Sequence, residues 1–419
     1  MKLRVITNSE RGTFACPRRW GWRYLDGLTT GDAAAPLRQG DLVHQCLAEY
    51  YRRNCDMTLD HVVGAVIEPW IEKQTAWALE NTSSDAAEQR ISENEDIAAQ
   101  TLAMVEDYLK TYDRDAERYE ILAVEAQIAR RLEGVVDMPT MPNGKRRKRQ
   151  WVYGGAVDLV VRDRSTGHAL IMEHKTTAET DLESYCGKLD WDPQIRGYSW
   201  GLAQPIAGLA TIDEPLDIRG VLYNVLRKKR PSIPKLKKDG TTSKAKCDTT
   251  YDVFLSTLLE RGEDPDDFRD ILESLRHREF FRRELYPMPD IEKERFGHEL
   301  MYSATALKEA SRPNAYLHRQ FSVCTGHRGT KCEYRHICLD YDGDWRGHGF
   351  RKMTIRHREL EGDLCNPCSD ERGITIGSEG ELGKVKESQE DENERKKVDL
   401  ARAFQQQCND VEDDFFDGF

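Results

Sequence analysis

Residues 154–175, GGAVDLVVRDRSTGHALIMEHK, decide the fold. Two β-branched, apolar runs flank the turn-forming RDRSTG, which reads as a hairpin of two long strands. Asp158 lies in the first strand, and Glu173-His174-Lys175 closes the second, with Glu173 fifteen residues after Asp158. Side chains alternate along a strand, so Glu173 and Lys175 share a face, and a hairpin of this length can set Asp158 beside them. Two carboxylates are the oxygen ligands that a hard divalent ion such as Mg²⁺ prefers. A neighbouring lysine can orient or help deprotonate a water while the metal stabilises charge on a phosphate.

Outward from this hairpin the pattern is α/β. YEILAVEAQIARRL at 119–132 and GVLYNVLRKK at 220–229 read as further strands, and WDPQIRGYSWGLAQ at 191–204 as a helix with Pro193 in its first turn. The first 115 residues read as helical, including GDLVHQCLAEYYRR at 40–53, with an acidic, Ser- and Asn-rich exposed connection at 81–96. Helices resume at 251–261 and about 291–311. The expected parts are a helical 1–115, a core at 116–226, a mobile basic loop at 227–250, a helical and cysteine-bearing 251–345, and a polar 346–419, disordered beyond about 377. Trp191 and Trp200, flanking residues 194–198, read as core residues rather than as surfaces for base stacking.

The charged fraction, 32%, exceeds the usual ~25% and predicts a polar, soluble chain. No apolar run approaches the ~20 residues of a membrane span, and MKLRVITNSERGTF lacks a signal peptide's apolar core, so a cytoplasmic location is expected. The net charge is −12, but 379–419 carries thirteen acids against six bases, leaving −5 for the rest. Local basic runs stand out from that balance: five consecutive bases at 145–149 and four at 227–230. Beside a metal site they are expected phosphate contacts, and sequence-independent binding follows because nothing suggests a base-reading module.

Together the Asp158, Glu173-His174-Lys175 and Gln194-Ile195-Arg196-Gly197-Tyr198 elements resemble the PD-(D/E)XK nucleases, and Q-x-x-x-Y resembles their RecB-like branch. The resemblance implies a restriction-endonuclease-like core, a mixed central sheet flanked by helices, with helical N- and C-terminal parts. It also implies that His44, Asp158 and Glu173, with the backbone carbonyl of His174, bind Mg²⁺ or Mn²⁺. Lys175 becomes the catalytic lysine, with Gln194 and Tyr198 steadying the site and contacting DNA. Glu125 stands where relatives often carry a glutamate, and a supporting role and a plain surface acid are equally expected. The implied activity is DNA hydrolysis, as an exonuclease in recombination, repair or replication, with a phage-type setting in a bacterial or phage-infected cell. CRISPR spacer acquisition is the runner-up, and a non-catalytic DNA-binding scaffold the reading from another class.

Eleven cysteines, an odd number, point to metal rather than a disulfide framework in an intracellular chain. Cys16 stands early, and Cys324, Cys332 and Cys338 cluster late, a set that suits a [4Fe–4S] cluster or structural zinc. The resemblance to AddB-type and CRISPR-associated RecB-like exonucleases favours iron–sulfur, although seven residues separate Cys324 from Cys332 where many relatives have two. His327 or His336 could instead complete a zinc site. Cys365 and Cys368 form a lone CxxC. The ending DVEDDFFDGF, five acids and three aromatics, fits either plain disorder or a tip that binds a protein partner.

Overall fold

The sheet grows from the hairpin in both directions. In chain order the strands are β1 (Lys2–Ile6), β2 (Leu28–Thr29), β3 (Tyr119–Asp137), β4 (Arg149–Asp163), β5 (Ala169–Thr177), β6 (Ile218–Arg227), β7 (Phe281–Pro287) and β8 (Arg351–Lys352). The computed structural model describes residues 2–30, 33–138, 146, 148–312, 314–324, 331–339, 345–353, 355–357 and 359–365. Lys145, Arg147, His327, Cys368, Cys408 and the acidic ending lie outside the described residues. Among those residues, six strands form one mixed sheet, and β2 pairs with β8 in a separate ribbon. Antiparallel pairing joins β3 to β4, β4 to β5 and β6 to β7, while β1–β4 and β5–β6 are parallel. This is an α/β architecture with helices on both faces of the sheet. Among the described residues no helix is long and apolar enough to cross a membrane.

The pairing of β4 creates the site. β3 runs along one edge of β4, so β1 and β5 share the other. β1 pairs with 149–153 and β5 with 159–162, which leaves 154–158 paired with neither. The last rung of the β4–β5 ladder is Leu159–Met172, so the strands part at Asp158 and Glu173. Strand alternation also breaks here: Val157 packs into one core and Leu159, two residues on, into the other. Opposite Asp158 stands Glu125, whose φ of 50° is in the left-handed region. Such irregularities re-aim side chains at functional edges.

Two cores hold the sheet. On one face the helices Pro193–Leu202 and Asp290–Ala310 pack Trp200, Phe296, Leu300 and Ala304 against Tyr153, Ile171 and Val221. On the other, Ala35–Arg52 and Ser84–Thr111 pack Val43, Leu47, Met104 and Tyr108 against Leu159, Met172 and Leu222.

Several elements depart from the sequence reading. Within the 81–96 stretch only Thr82 and Ser83 are a connection, between the helices Glu68–Asn81 and Ser84–Thr111; in the latter Ala87, Asn94, Ala98, Thr101 and Val105 fall at helical spacing and are buried. Its polar composition misleads because Asn94 is an interior partner, accepting from Arg38 Nε at 3.0 Å. β1 and β7 were not expected. β1 is too short to show a period, and β7 (FRRELYP) is an edge strand whose charged residues disguise it. The chain stays packed well past 346: Phe350, Met353, Leu360 and Leu364 are buried, the last two against Val5 and Val152. His357 reaches the buried Arg4–Glu10 pair, 3.3 Å from Glu10 Oε2. Burial opposes the charge on Glu10, but Arg4 and His357 outweigh it and hold its carboxyl well below the usual range. The 227–250 segment is irregular in backbone yet pinned, since Asp248 binds Arg227, Lys229 and Arg278 at 2.8–3.0 Å.

Gly197 tests the helix-on-sheet packing. A Cβ there would run into the Tyr153 hydroxyl and lie 3.1 Å from the Phe296 ring, whereas Gly187, also helical, has open space around it. Gly197→Ala should destabilise the protein by ~1–3 kcal/mol through overpacking. Gly187→Ala should be neutral or stabilising by up to ~1 kcal/mol. Thermal or urea denaturation of the two variants checks the contrast.

Candidate active site

Where β4 and β5 part, four charged side chains meet. Asp158 Oδ2 accepts the backbone N–H of His174 at 2.7 Å, which ties the two strands at the point of divergence. Its Oδ1 lies 3.2 Å from His44 Nδ1, brought in by the helix Ala35–Arg52. Glu173 and Lys175, on one face of β5 as their spacing requires, are joined by a 2.8 Å Nζ–Oε1 contact. The helix Pro193–Leu202 completes this side: Lys175 Nζ donates to Gln194 Oε1 at 2.8 Å, and Gln194 Nε2 donates to the Tyr198 hydroxyl at 2.5 Å. Asp192 caps that helix through Oδ1, and its Oδ2 lies 3.5 Å from Lys175 Nζ. His44, Asp158, Glu173, Lys175, Gln194 and Tyr198, distant in sequence, are thus one connected cluster.

The charges in this cluster oppose and compensate one another. Burial and then the Asp158 charge push Glu173 up to about 7, against the pull of Lys175. Burial would also raise Asp158, but His44 outweighs it and holds Asp158 low. Burial works against a charge on His44, yet Asp158 beside it lifts it to about 9. Lys175 likewise keeps its proton: burial disfavours its charge, and Glu173 and Asp192 more than restore it.

His174 points to the opposite face. Burial pushes its imidazole down to about 3, so it is neutral, and its Nδ1 accepts from Asn224 Nδ2 at 2.8 Å. Asn224 Nδ2 also donates to Tyr108 OH at 2.6 Å, and Tyr108 meets Tyr51 at 2.6 Å. Asp115 accepts from Tyr51 and from Arg283, each at 2.6 Å, and Arg283 Nε donates to Asn224 Oδ1 at 3.2 Å. This buried network holds β5 from behind. Its members were missed in the sequence because they come from two helices, a short turn and two strands with no shared motif. Asp192 had a local signal, an acid directly before Pro193 at a helix start.

Other expected contributors lie around the cluster. Glu125, exposed on β3, stands opposite Asp158, and desolvation and then the Asp158 charge raise its carboxyl to about 7. Trp200 is buried as expected, but Trp191 is 83% exposed, because it sits in the turn before the helix rather than on its inner face. Of the 227–230 bases only Arg227 is buried; Lys229 and Arg230 stay about half exposed although each is ion-paired. Arg227 pairs with Asp248, Arg230 with Asp107 and Glu106, and Lys228 Nζ donates to the Pro36 carbonyl. In the 145–149 run, Arg149 pairs with Asp137.

Residues 13–339 match the family model of the PD-(D/E)XK nuclease superfamily. The chain belongs to this superfamily. No curated protein matches it. Members of the superfamily are phosphodiester hydrolases that generally use divalent metals such as Mg²⁺, so a nuclease with these properties is the starting point for the site.

The donor set fits such an ion. Glu173 Oε2 is buried with no hydrogen-bond partner in the protein, beside a second carboxylate that raises its pKa. A cation there would relieve both the missing partner and the repulsion. Among the described residues, however, no three His, Cys, Asp or Glu side chains are drawn together as a closed ligand set. That holds for the four clustered cysteines too, although the segments bearing them meet. Cys16 begins the helix Pro17–Trp20, Arg19 and Arg23 approach Glu333 at 3.6 and 3.7 Å, and Cys332 N–H donates to the Cys324 carbonyl at 3.0 Å.

The His44–Asp158 pair makes stability depend on pH. Because His44 is raised from 6.5 to about 9, its stabilisation is full below about 6.5 and is lost as pH rises through 9. Glu173, raised from 4.5 to about 7, acts in the same direction, but its contribution is lost as pH rises through 7, below that window. In EDTA, the melting temperature should therefore fall between pH 7.5 and 9.5, and His44→Gln should flatten the fall. Parallel thermal melts of the two proteins measure it.

Proposed function

We propose that the protein is a divalent-metal-dependent deoxyribonuclease that hydrolyses phosphodiester bonds at DNA ends. The observation that carries this reading is the partnerless Glu173 Oε2 beside Asp158, with Lys175 on the same strand face. The end-directed form rests on the resemblance of the Gln194–Tyr198 element to the RecB-like branch. His44, Asp158 and Glu173, with the His174 carbonyl, would hold one or two Mg²⁺ or Mn²⁺ ions. When bound, they supply Lewis-acid polarisation of the scissile phosphate.

The chain's own groups divide the remaining work. His44 must release its proton before its Nδ1 can act as a ligand, and Asp158 retains that proton near neutral pH. Lys175, held protonated, serves as a fixed positive charge for the attacking water and the phosphate rather than as a free base. Gln194 holds its ammonium in line, and Tyr198 holds Gln194. Asp192 is the loosest of the three acceptors around Lys175 Nζ, so that donor is the one most easily turned toward substrate.

Lys175→Ala and Asp158→Ala should each fold and lose at least ~100-fold in cleavage of end-labelled DNA, since one such electrostatic group is typically worth ~3 kcal/mol. Near wild-type turnover in either would sink the assignment of these residues, and a wild-type protein that does not degrade labelled DNA with metal would be a non-catalytic DNA-binding scaffold.

We also propose that Cys16, Cys324, Cys332 and Cys338 bind a [4Fe–4S] cluster, with zinc as the alternative. The support is the meeting of the early and late segments around Glu333 and the family resemblance. Protein purified without oxygen should be brown and contain iron, and Cys332→Ala should lose both. Elemental analysis showing zinc and no iron would replace the cluster with a structural zinc site.

A further inference from the structure

Trp191 is the most exposed tryptophan among the described residues, and it stands at the rim of the site. A single exposed apolar side chain is ordinary on a protein surface. Two features set this one apart. The first is position: the next residue, Asp192, lies 3.5 Å from Lys175 Nζ. Trp191 is therefore the residue directly preceding the one whose carboxylate faces the cluster's cation.

The second feature is rigidity. Arg196 donates to the carbonyls on both sides of Trp191, to Asp190 O at 2.6 Å and to Asp192 O at 3.0 Å. Asp192 N–H donates to the Leu189 carbonyl at 3.0 Å, and the Asp192 carboxylate accepts from Gln194 N–H and from Tyr223 OH at 2.9 and 3.3 Å. The turn is thus braced from several directions while its one large side chain is left in solvent. A flat, apolar surface held still lowers the ordering loss when a ligand settles on it. The flat, apolar ligands beside a phosphate-cleaving site are nucleobases. A base can offer its face to an indole only when it is unstacked, hence unpaired or at a frayed end.

We propose that Trp191 is a stacking platform for an unpaired nucleobase next to the scissile phosphate, so that the substrate is single-stranded DNA or a frayed duplex end. The inference rests on the nuclease reading above. Base–aromatic stacking predicts a contribution of roughly 10-fold or more in affinity.

The test walks one abasic nucleotide along an end-labelled single-stranded oligonucleotide. With the wild-type full chain, one abasic position should slow cleavage roughly 10-fold. Trp191→Ala should cleave the intact strand at that slower rate, show no further loss with the abasic strand, and keep the wild-type melting temperature. Trp191→Phe, which retains a ring, should recover part of the loss. In the Lys175→Ala background, adding single-stranded oligonucleotide should quench tryptophan fluorescence, and Lys175→Ala/Trp191→Phe should lose that quenching. An abasic penalty that persists in Trp191→Ala, or quenching that survives Trp191→Phe, would overturn the platform. Inactive Lys175→Ala and Asp158→Ala with a fully active Trp191→Ala would sink the platform alone. Fully active Lys175→Ala and Asp158→Ala would sink the assignment of this cluster as the cleavage site, and a wild-type chain that cleaves no DNA would sink the nuclease reading, while the fluorescence pair would still decide stacking.

Discussion

Two carboxylates, Asp158 and Glu173, are buried together where β4 and β5 separate, and much of the molecule is arranged around their mutual repulsion. Left alone, such a pair would not both ionise at neutral pH. Each is given a cation from a different side: His44 from the helix Ala35–Arg52 on one face, Lys175 from β5 itself on the other. The compensation is unequal. Asp158 is held ionised, whereas Glu173 stays near neutrality with one oxygen partnerless. That residual imbalance is what an additional positive charge would relieve.

Holding this arrangement requires β5 to be fixed beyond the point where its ladder with β4 ends. Parallel pairing with β6 along its length does part of this. The rest comes from behind, where His174, Asn224, Tyr108, Tyr51, Asp115 and Arg283 share buried hydrogen bonds. In a low-dielectric interior such a chain is costly to break at any link, so it confines the strand to one position. Arg283 lies on the edge strand β7, which ties the sheet's far side to the site.

The two ends of the described chain close on each other by the same kind of interaction. Glu10 joins Arg4, Trp20 and His357 in a buried knot, and Tyr334 stacks on Trp22 and Phe350. Thus the segment carrying Cys16 and the one carrying Cys332 and Cys338 are joined by packing around Leu28, Tyr334 and Phe350, against which Trp22 and Cys332 also pack.

Local pattern in the sequence determined the hairpin, the strands β3 to β6, the helix opened by Asp192 and Pro193, and the facing of Glu173 and Lys175. These follow from alternation, turn residues and capping, all of which act within a few residues of each other. The nomination of His44 needed family resemblance, because nothing local distinguishes a helical histidine that meets a carboxylate 114 residues away from a structural one. Tertiary structure alone decided the rest. It placed β1 beside β4, so that the shared edge leaves Asp158 unpaired, and it recruited Asn94, Arg227 and His357 into the interior. It also turned Trp191 outward and paired Arg227, Lys229 and Arg230 with carboxylates remote in sequence. In each case the deciding partner is remote in sequence: burial and charge pairing depend on which surfaces meet, and composition does not record that.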